Sequence, residues 1–356
     1  MADIKQSTAQ YEDWLRAQLS GDVVEKDLES KHAKMRDSPF SFLRATYWRW
    51  AETVFDICPE VADAPRVLAV GDIHLENFGT WRDYDGRLVW GVNDFDEAAE
   101  MPYTLDLLRL AASGMVVGVA GSSKPAQICT SLLKGYRQGL EAPRPVVLDR
   151  DFEWLRELVV VSNKARAKFW KKLENATEER APPRYGNALS ANMPETGLVL
   201  RTARRTAGSG SLGRPRWVAM ADWRGAPVVR EAKAILVSSW DKQHGSAASP
   251  IRYSEIAGGR YRANDPWCRI DDGIVVRRLS PNNRKIEADD DAADLLSPQM
   301  QQAMGLELAN VHLGTADMRD AIKRDLKRRK DGWLLASAEK MAAAVQSEQK
   351  EWAAAQ

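Results

Sequence analysis

The chain has 356 residues, 44% hydrophobic and 28% charged, and its formal net charge at pH 7 is +1. No apolar run approaches the roughly 18 residues of a membrane-spanning helix, and the balanced charge gives no overall attraction to nucleic acid or membrane. We therefore expect neither partner. Single hydrophobic cores stop growing near about 250–300 residues, so the length predicts two lobes.

The first residues show no basic segment followed by an apolar segment, which would be typical of a secretory signal, so we expect a cytoplasmic protein. Three cysteines, Cys58, Cys129 and Cys268, lie far apart without a C-x-x-C pair. This spacing argues against a disulfide framework and against a cysteine-rich zinc site.

The N-terminal third begins with helical patterns. Residues 7–35 carry apolar side chains at helical spacing, and residues 38–57 have the form of one capped helix, with Ser38 at the cap and Pro39 in the first turn. Residues 66–72, "RVLAVGD", are typical of a buried strand that ends at a loop.

Two polar clusters follow that strand. Asp72, His74 and Asn77 lie in the loop, and residues 78–97 contain two apolar segments around "DYDG", which predicts a hairpin with Asp-Gly at its turn. Asp94 and Asp96 come directly after the hairpin. A tight hairpin would bring the two clusters side by side.

The middle of the chain alternates helices and loops. Helical patterns cover residues 103–121, 124–142 and 149–178, whereas residues 181–197 are predicted to be a loop or linker. Residues 198–236 then predict a strand, a glycine-rich loop, two further strands and the start of a helix. Residues 269–279 predict another strand pair, and residues 294–356 are expected to be helical throughout.

The two acidic clusters favour phosphoryl transfer. That chemistry uses an aspartate to orient the attacking hydroxyl, and an asparagine and a second aspartate to hold Mg²⁺. Asp72, Asn77 and Asp94 have these types in this order, with oxygen ligands of the kind that Mg²⁺ prefers. His74 is expected to orient the loop, and Asp106 is expected to form an ion pair with Arg109 that supports it.

The glycine-rich loop "GSGSLG", residues 208–213, is a candidate phosphate-binding loop, because glycines let backbone amides approach phosphate oxygens. Such loops also form ordinary hairpin turns. The candidate phosphate-binding residues of the loop are Gly208, Gly210, Ser211 and Gly213. The next strand, "VVREAK", offers Arg230 or Lys233 as the cation for the phosphates.

Five motifs in order, "MRDSPFSFLR", "GDIHLENFG", "NDFDEA", "DLLRLAAS" and "AGSGSLG", resemble the bacterial family DUF2252. Its motifs are similar to those of protein-kinase-like and aminoglycoside-phosphotransferase-like enzymes. The resemblance runs from about Met35 to beyond Gly213. It implies that Asp72 is the catalytic aspartate, that Asn77 and Asp94 bind magnesium, and that Asp96 is an outer or additional ligand.

The sequence departs from the expected patterns in two ways: in the order of its motifs relative to kinases, and in one residue type relative to the family. Kinases place the glycine loop and its lysine before the catalytic loop, whereas here the glycine loop comes after it, so a kinase-like fold would be circularly permuted. The family pattern has Lys-Glu-Ala where this chain has Arg230-Glu231-Ala232, which leaves Arg230 or Lys233 as the phosphate cation.

Three alternatives to a kinase-like reaction are open from the residues. A metallophosphoesterase also uses Asp and His after a strand, but it needs further histidine motifs that are absent near His32, His244 and His312. An inactive nucleotide-binding module is consistent with Arg230 at the lysine-like position. Transfer of AMP on the same fold would differ in its product, pyrophosphate rather than ADP.

The prediction is an α+β, kinase-like and circularly permuted fold of two lobes. Residues 1–197 would form the helical lobe with the catalytic loop, residues 198–282 a small β-rich nucleotide-binding lobe, and residues 283–356 helices that pack on the larger lobe. The expected activity is an ATP- and Mg-dependent phosphotransferase. Its acceptor, a small molecule or a protein, is not identified by the sequence.

Overall fold

The computed structural model describes residues 2–117, 124–246 and 248–354, except for the side chain of Asp290. These residues form fifteen α-helices and ten β-strands in a mixed α+β arrangement. The helices are α1 (Ile4–Leu19), α2 (Glu25–Asp37), α3 (Pro39–Ala45), α4 (Tyr47–Ile57), α5 (Thr104–Val116), α6 (Pro125–Glu141), α7 (Glu153–Leu158), α8 (Asn163–Glu174), α9 (Pro183–Ala191), α10 (Ser239–His244), α11 (Tyr253–Ala257), α12 (Ala288–Leu295), α13 (Pro298–His312), α14 (Arg319–Arg328) and α15 (Trp333–Ala354).

The strands form three antiparallel sheets. They are β1 (Arg66–Ala69), β2 (Phe78–Arg82), β3 (Leu88–Val92), β4 (Ala99–Pro102), β5 (Val146–Val147), β6 (Arg201–Arg204), β7 (Arg216–Trp223), β8 (Ala226–Ala234), β9 (Arg269–Asp271) and β10 (Ile274–Leu279). The largest sheet has the order β6-β7-β8-β10-β9, and the others are β1-β4 and β2-β3-β5.

Several predicted elements differ from the observed ones. The helix expected over residues 38–57 is two helices, α3 and α4, because the backbone of Thr46, with φ −123° and ψ 44°, lies outside the helical region. Ser38 caps α3 as predicted, its hydroxyl accepting a hydrogen bond from the Ser41 amide. The expected helix over residues 149–178 is likewise divided into α7 and α8. The part of the predicted 103–121 helix beyond Val117 lies outside the described residues.

The loop predicted over residues 181–197 is wrong in its first part, which forms α9. Tyr185 and Leu189, four residues apart, are buried in one core with Trp217 of β7 and Leu15 of α1. This core lies on one face of the five-stranded sheet. Burial of this apolar face stabilises a helix that the local sequence signals only weakly.

The larger core lies among the remaining helices. It includes apolar side chains of α3 to α6 and of α13 and α15, together with the strands β1 to β4. The sheet β1-β4 and the hairpin β2-β3 therefore pack against these helices, and the loops that connect the strands leave this core.

The three cysteines are free, and Cys58 and Cys129 are buried. Among the described helices, none has the length and apolar character to cross a bilayer.

Candidate active site

The loop after β1 is held by helix α5. The amides of Val70 and Gly71 donate hydrogen bonds to the carboxylate of Asp106 at 2.8 and 3.0 Å, and the amide of Leu75 donates to Ser113 Oγ at 3.2 Å. These bonds satisfy buried backbone donors that have no strand partner. They fix the backbone on both sides of the candidate catalytic aspartate.

Asp72 forms a close ion pair with Arg109 of α5, with 2.5 Å between Oδ1 and Nη2. The Arg109 side chain is 1% exposed and lies over the rings of Tyr47 and Trp50. Burial raises the pKa of Asp72 above its ordinary value, and the Arg109 charge opposes that rise. The expected ion pair between Arg109 and Asp106 is wrong: each supports the loop through a different contact.

His74 has a structural place in the same loop. Its Nδ1 accepts a hydrogen bond from the Glu76 amide at 3.2 Å, and its ring packs edge-on against Phe40. Burial, with the positive charges of Arg44 and Lys285, holds the pKa of His74 well below its ordinary value. A neutral imidazole that accepts from the backbone agrees with the expected role in orienting the loop.

Asn77 links the two polar clusters. Its Nδ2 donates to the backbone carbonyls of Asp72 and Asp94, both at 3.1 Å. The hairpin pairs Phe78 with Val92, so the residues before and after it are neighbours. The prediction that the hairpin brings the two clusters together is confirmed.

The second acidic cluster is neutralised by cations of the five-stranded sheet and the segment before β7. Lys233 Nζ lies 3.2 Å from Asp94 Oδ1 and 2.6 Å from Asp96 Oδ2, and Arg214 Nη2 lies 2.7 Å from Glu97 Oε1. Burial alone would raise the pKa of Asp94, but the positive charges of Lys233, Arg277 and Arg216 and a hydrogen bond with Asp96 together hold that pKa well below its ordinary value. Burial and the Asp94 charge raise the pKa of Asp96 to about 6.

The structure brings only one of the two candidate phosphate cations to this cluster. Lys233 of β8 contacts Asp94 and Asp96. Arg230 instead donates from Nε to the Asn192 carbonyl at 2.8 Å, and its guanidinium lies over the Trp267 ring. Residues 230 and 233 have opposite parity on the strand, so their side chains point to opposite faces of the sheet.

The glycine-rich loop, between β6 and β7, covers Asp72. Gly208, Gly210 and Ser211 line the same cavity as Asp72. A Cβ on Gly210 would lie 2.8 Å from Asp72 Oδ2 and 3.2 Å from the Arg44 carbonyl. The backbone approaches the aspartate so closely that only glycine fits without a shift.

Gly213 has a different place from the other loop residues. It does not line the cavity, its φ is +95°, and a Cβ there would collide with Leu28 of α2. Its carbonyl accepts a hydrogen bond from the Val24 amide at 3.0 Å. Lys31 of α2 donates from Nζ to the Gly210 carbonyl, also at 3.0 Å. Helix α2 and the residue before it therefore hold the loop.

The acidic clusters offer oxygen atoms of the type that Mg²⁺ prefers. Asn77 Oδ1 and Asp96 Oδ1 are buried without a hydrogen-bond partner among the described residues, and Asp94 lies beside them. No group of three or more His, Cys, Asp or Glu side chains in the described chain is arranged to hold a metal. Mg²⁺ commonly uses one or two carboxylates and completes its shell with water and phosphate oxygens, whereas a two-metal hydrolase needs more ligands.

Two cavities meet at this site. The first, about 400 Å³, contains both acidic clusters and the glycine-rich loop. The second, about 450 Å³, has apolar walls that include Trp81, Phe95, Tyr253, Ile270 and Leu279. Both are lined by Asn93, Arg205, Arg277 and Lys285, which therefore mark their junction. A ligand with an apolar ring system and a charged tail would fit the pair.

Sequence reasoning missed several residues of this site, namely Lys31, Arg205, Arg216, Glu231, Arg277 and Lys285. One signal was available, because Glu231 and Lys233 are two apart on an apolar strand and must share a face. Charged residues with this period inside a buried strand indicate a polar cavity on one side of the sheet. The other residues approach the site only through tertiary packing.

Residues 23–196 match the profile of the family DUF2252, described as "Uncharacterized protein conserved in bacteria". The matched segment includes both acidic clusters, but it ends before the glycine-rich loop and Lys233, so the resemblance seen at residues 207–213 lies outside it. Comparisons with curated proteins and with solved structures gave no match. On the profile match and the motifs within it, residues 23–196 of the chain belong to the DUF2252 family.

Proposed function

We propose that this protein is a magnesium-dependent phosphotransferase that uses ATP and has a circularly permuted, kinase-like fold. One observation carries the proposal: segments far apart in sequence line a single cavity. In it the glycine-rich loop lies over Asp72, and Lys233 contacts Asp94 and Asp96. Kinases use this set of groups on ATP phosphates.

The order of the five-stranded sheet supports the same proposal. The glycine-rich loop joins β6 to β7, the first two strands of the sheet, and Lys233 lies on β8, the third. In kinases the glycine-rich loop also precedes a lysine on the third strand of the small lobe. Here this unit follows the acidic clusters in sequence, which is the reason for proposing a permutation.

The side chains have separate tasks in this reaction. Asp72 orients an acceptor hydroxyl and takes its proton, while Arg109 keeps the carboxylate in place. Lys233 and the amides of the glycine-rich loop hold phosphate oxygens. Asn77, Asp94 and Asp96 would hold magnesium, whose charge would offset the negative charge of the phosphates. Such catalysis consists mainly of positioning and charge stabilisation.

The larger cavity suits the nucleoside. Its wall contains Phe95 and Tyr253, whose rings meet edge to face at 5.8 Å, and Leu279 of β10. After β10, the wall is completed by Ser280, Asn283, Arg284 and Lys285. A base bound there would place its phosphates toward the junction and the acidic clusters. This arrangement supports ATP over a simple phosphate donor.

Calorimetry tests the proposal. The full chain is titrated with ATP in the presence of Mg²⁺ and again in EDTA, and the titrations are repeated with Asp94→Ala. We expect Mg²⁺-dependent binding that weakens at least tenfold in this variant, because a metal-held charge is lost. The matched control is Asp222→Ala, an exposed carboxylate near the end of β7 in the five-stranded sheet. Absence of ATP binding by the native chain would overturn the proposal.

A second experiment separates the two transfer reactions. Released products are identified after incubation with Mg²⁺ and ATP, because phosphoryl transfer releases ADP and AMP transfer releases pyrophosphate. Asp72→Asn is expected to retain ATP binding and to lose product formation. Binding without turnover by the native chain, with every acceptor offered, would instead favour a nucleotide-binding module.

A further inference from the structure

Three arginines contact one buried carboxylate on the five-stranded sheet. Glu231 of β8 is fully buried, and its Oε1 accepts hydrogen bonds from Arg216 Nη1 and Arg277 Nε, both at 2.9 Å. Arg205 Nη1 contacts the other oxygen, Oε2. Strand pairing causes this convergence, because Arg277 lies directly opposite Glu231 and Arg216 lies opposite Lys233. We call these three residues the arginine cluster.

The arginine cluster lies at the junction of the two cavities. Arg205 and Arg277 line both cavities, with 23% and 26% of their side chains exposed. Arg216 is more deeply buried and donates from Nη2 to Ser211 Oγ of the glycine-rich loop at 2.7 Å. The cluster therefore forms part of the wall along which a ligand would pass from one cavity to the other.

The charges of the arginine cluster are not balanced by Glu231, which supplies one negative charge for three positive ones. Asp94 and Asp96 attract Arg277, but Lys233 also pairs with both. Burial, followed by repulsion from neighbouring arginines, lowers the pKa of Arg205 to about 9 and of Arg216 to about 10. An added anion would relieve this repulsion.

We propose that the arginine cluster is a binding subsite for a phosphate group, distinct from the glycine-rich loop and Lys233. Guanidinium groups bind phosphate oxygens through paired N–H donors, and the unbalanced positive charge of three of them is the reason for this ligand class. Glu231 is a positioning residue that fixes the three side chains. Assigning this phosphate to ATP rests on the proposed function, whereas the subsite itself does not.

Titration with sodium pyrophosphate in EDTA tests the subsite without any metal. Arg205→Gln removes one guanidinium from the cavity wall. Arg204→Gln is the control, because Arg204, the neighbouring residue at the end of β6, pairs with Glu179 and lines neither cavity. We expect the affinity for pyrophosphate to fall about tenfold in Arg205→Gln and to be unchanged in the control, because a charged hydrogen bond is lost.

Glu231→Gln supplies a result that a purely structural ion network would not give. Glutamine keeps an oxygen that can accept from Arg216 and Arg277 but removes the negative charge, so pyrophosphate should bind more tightly although the fold is less stable. Equal affinities in Arg205→Gln and Arg204→Gln, or no pyrophosphate binding by the native chain, would overturn the subsite. That comparison remains decisive if Glu231→Gln fails to fold.

Competition identifies the source of the phosphate. If ATP displaces pyrophosphate from the native chain when Mg²⁺ is present, the subsite binds a phosphate of the nucleotide. If ATP and pyrophosphate bind together, it serves a separate phosphorylated ligand, and the subsite is again supported. If Mg²⁺-dependent ATP binding fails while Arg205→Gln still weakens pyrophosphate binding, the proposed function is wrong and the subsite stands.

Discussion

The ion pair between Asp72 and Arg109 can be tested without knowing the acceptor. Arg109 has a nearly fully buried side chain and also donates a hydrogen bond to the Leu43 carbonyl at 2.8 Å. The positive charge of Arg109 is therefore stabilised by Asp72 and by the ring faces of Tyr47 and Trp50. Asp72→Asn and Arg109→Met each remove one member of the pair while retaining most of its volume.

The expected coupling between these residues follows from the geometry. Nη2 and Oδ1 are 2.5 Å apart, and unit charges about 4 Å apart attract by about 4 kcal/mol at an effective dielectric constant of about 20. A charged hydrogen bond contributes about 1.5–3 kcal/mol net. A double-mutant cycle cancels what each substitution does alone, including desolvation. We therefore expect a coupling free energy of about 2–4 kcal/mol.

Urea unfolding of the native chain, both single variants and the double variant gives this coupling. The control cycle uses Arg204 and Glu179, whose Nε–Oε1 distance is 2.9 Å but whose side chains are 51% and 47% exposed. Exposed pairs contribute about 0.2–1 kcal/mol. A coupling between Asp72 and Arg109 no larger than that of the control would refute the inference that Arg109 fixes the aspartate.

Two further changes have expected outcomes. Gly210→Ala puts a methyl group 2.8 Å from Asp72 Oδ2, so product formation should fall about tenfold, as expected for a displaced catalytic group. The control Gly186→Ala in α9, where a Cβ meets no atom nearer than 3.7 Å, should leave product formation unchanged. Equal product formation by the two variants would contradict the close approach. Burial lowers the pKa of Lys31 from 10.5 to about 7, so between those pH values the unfolded chain binds more protons and the free energy of unfolding rises with pH. Lys31→Met should flatten this rise between pH 7 and 9, measured by urea unfolding, and parallel profiles for the two proteins would be inconsistent with a depressed pKa.

The polar clusters could be predicted from the sequence because their geometry is local. Residues 66–72 predicted a buried strand that ends at a loop, and a hairpin signal separated Asn77 from Asp94, so a short connection had to return the chain to its starting point. By contrast, β4 pairs with β1 across the whole hairpin. Such a short strand carries too little local pattern to be distinguished from a loop.

The choice between Arg230 and Lys233 shows where sequence reasoning ended. Strand alternation places the two side chains on opposite faces, but the sequence does not say which face meets the acidic clusters. Packing decides it, because α9 covers the other face, where the Asn192 carbonyl accepts from Arg230. The Asp106–Arg109 expectation failed similarly, since Arg109 found a partner in a loop far from it in sequence.

The N-terminal helices hold the glycine-rich loop in place. The five-stranded sheet follows the acidic clusters in sequence, and a separate segment holds the loop over Asp72. Helix α2 has this position: Lys31 donates to the Gly210 carbonyl, and Asp27 accepts a hydrogen bond from the Thr206 hydroxyl at 3.0 Å. The matched family segment begins at residue 23 and so contains α2 and both acidic clusters. It therefore includes the groups that position the loop, although it ends before the loop itself.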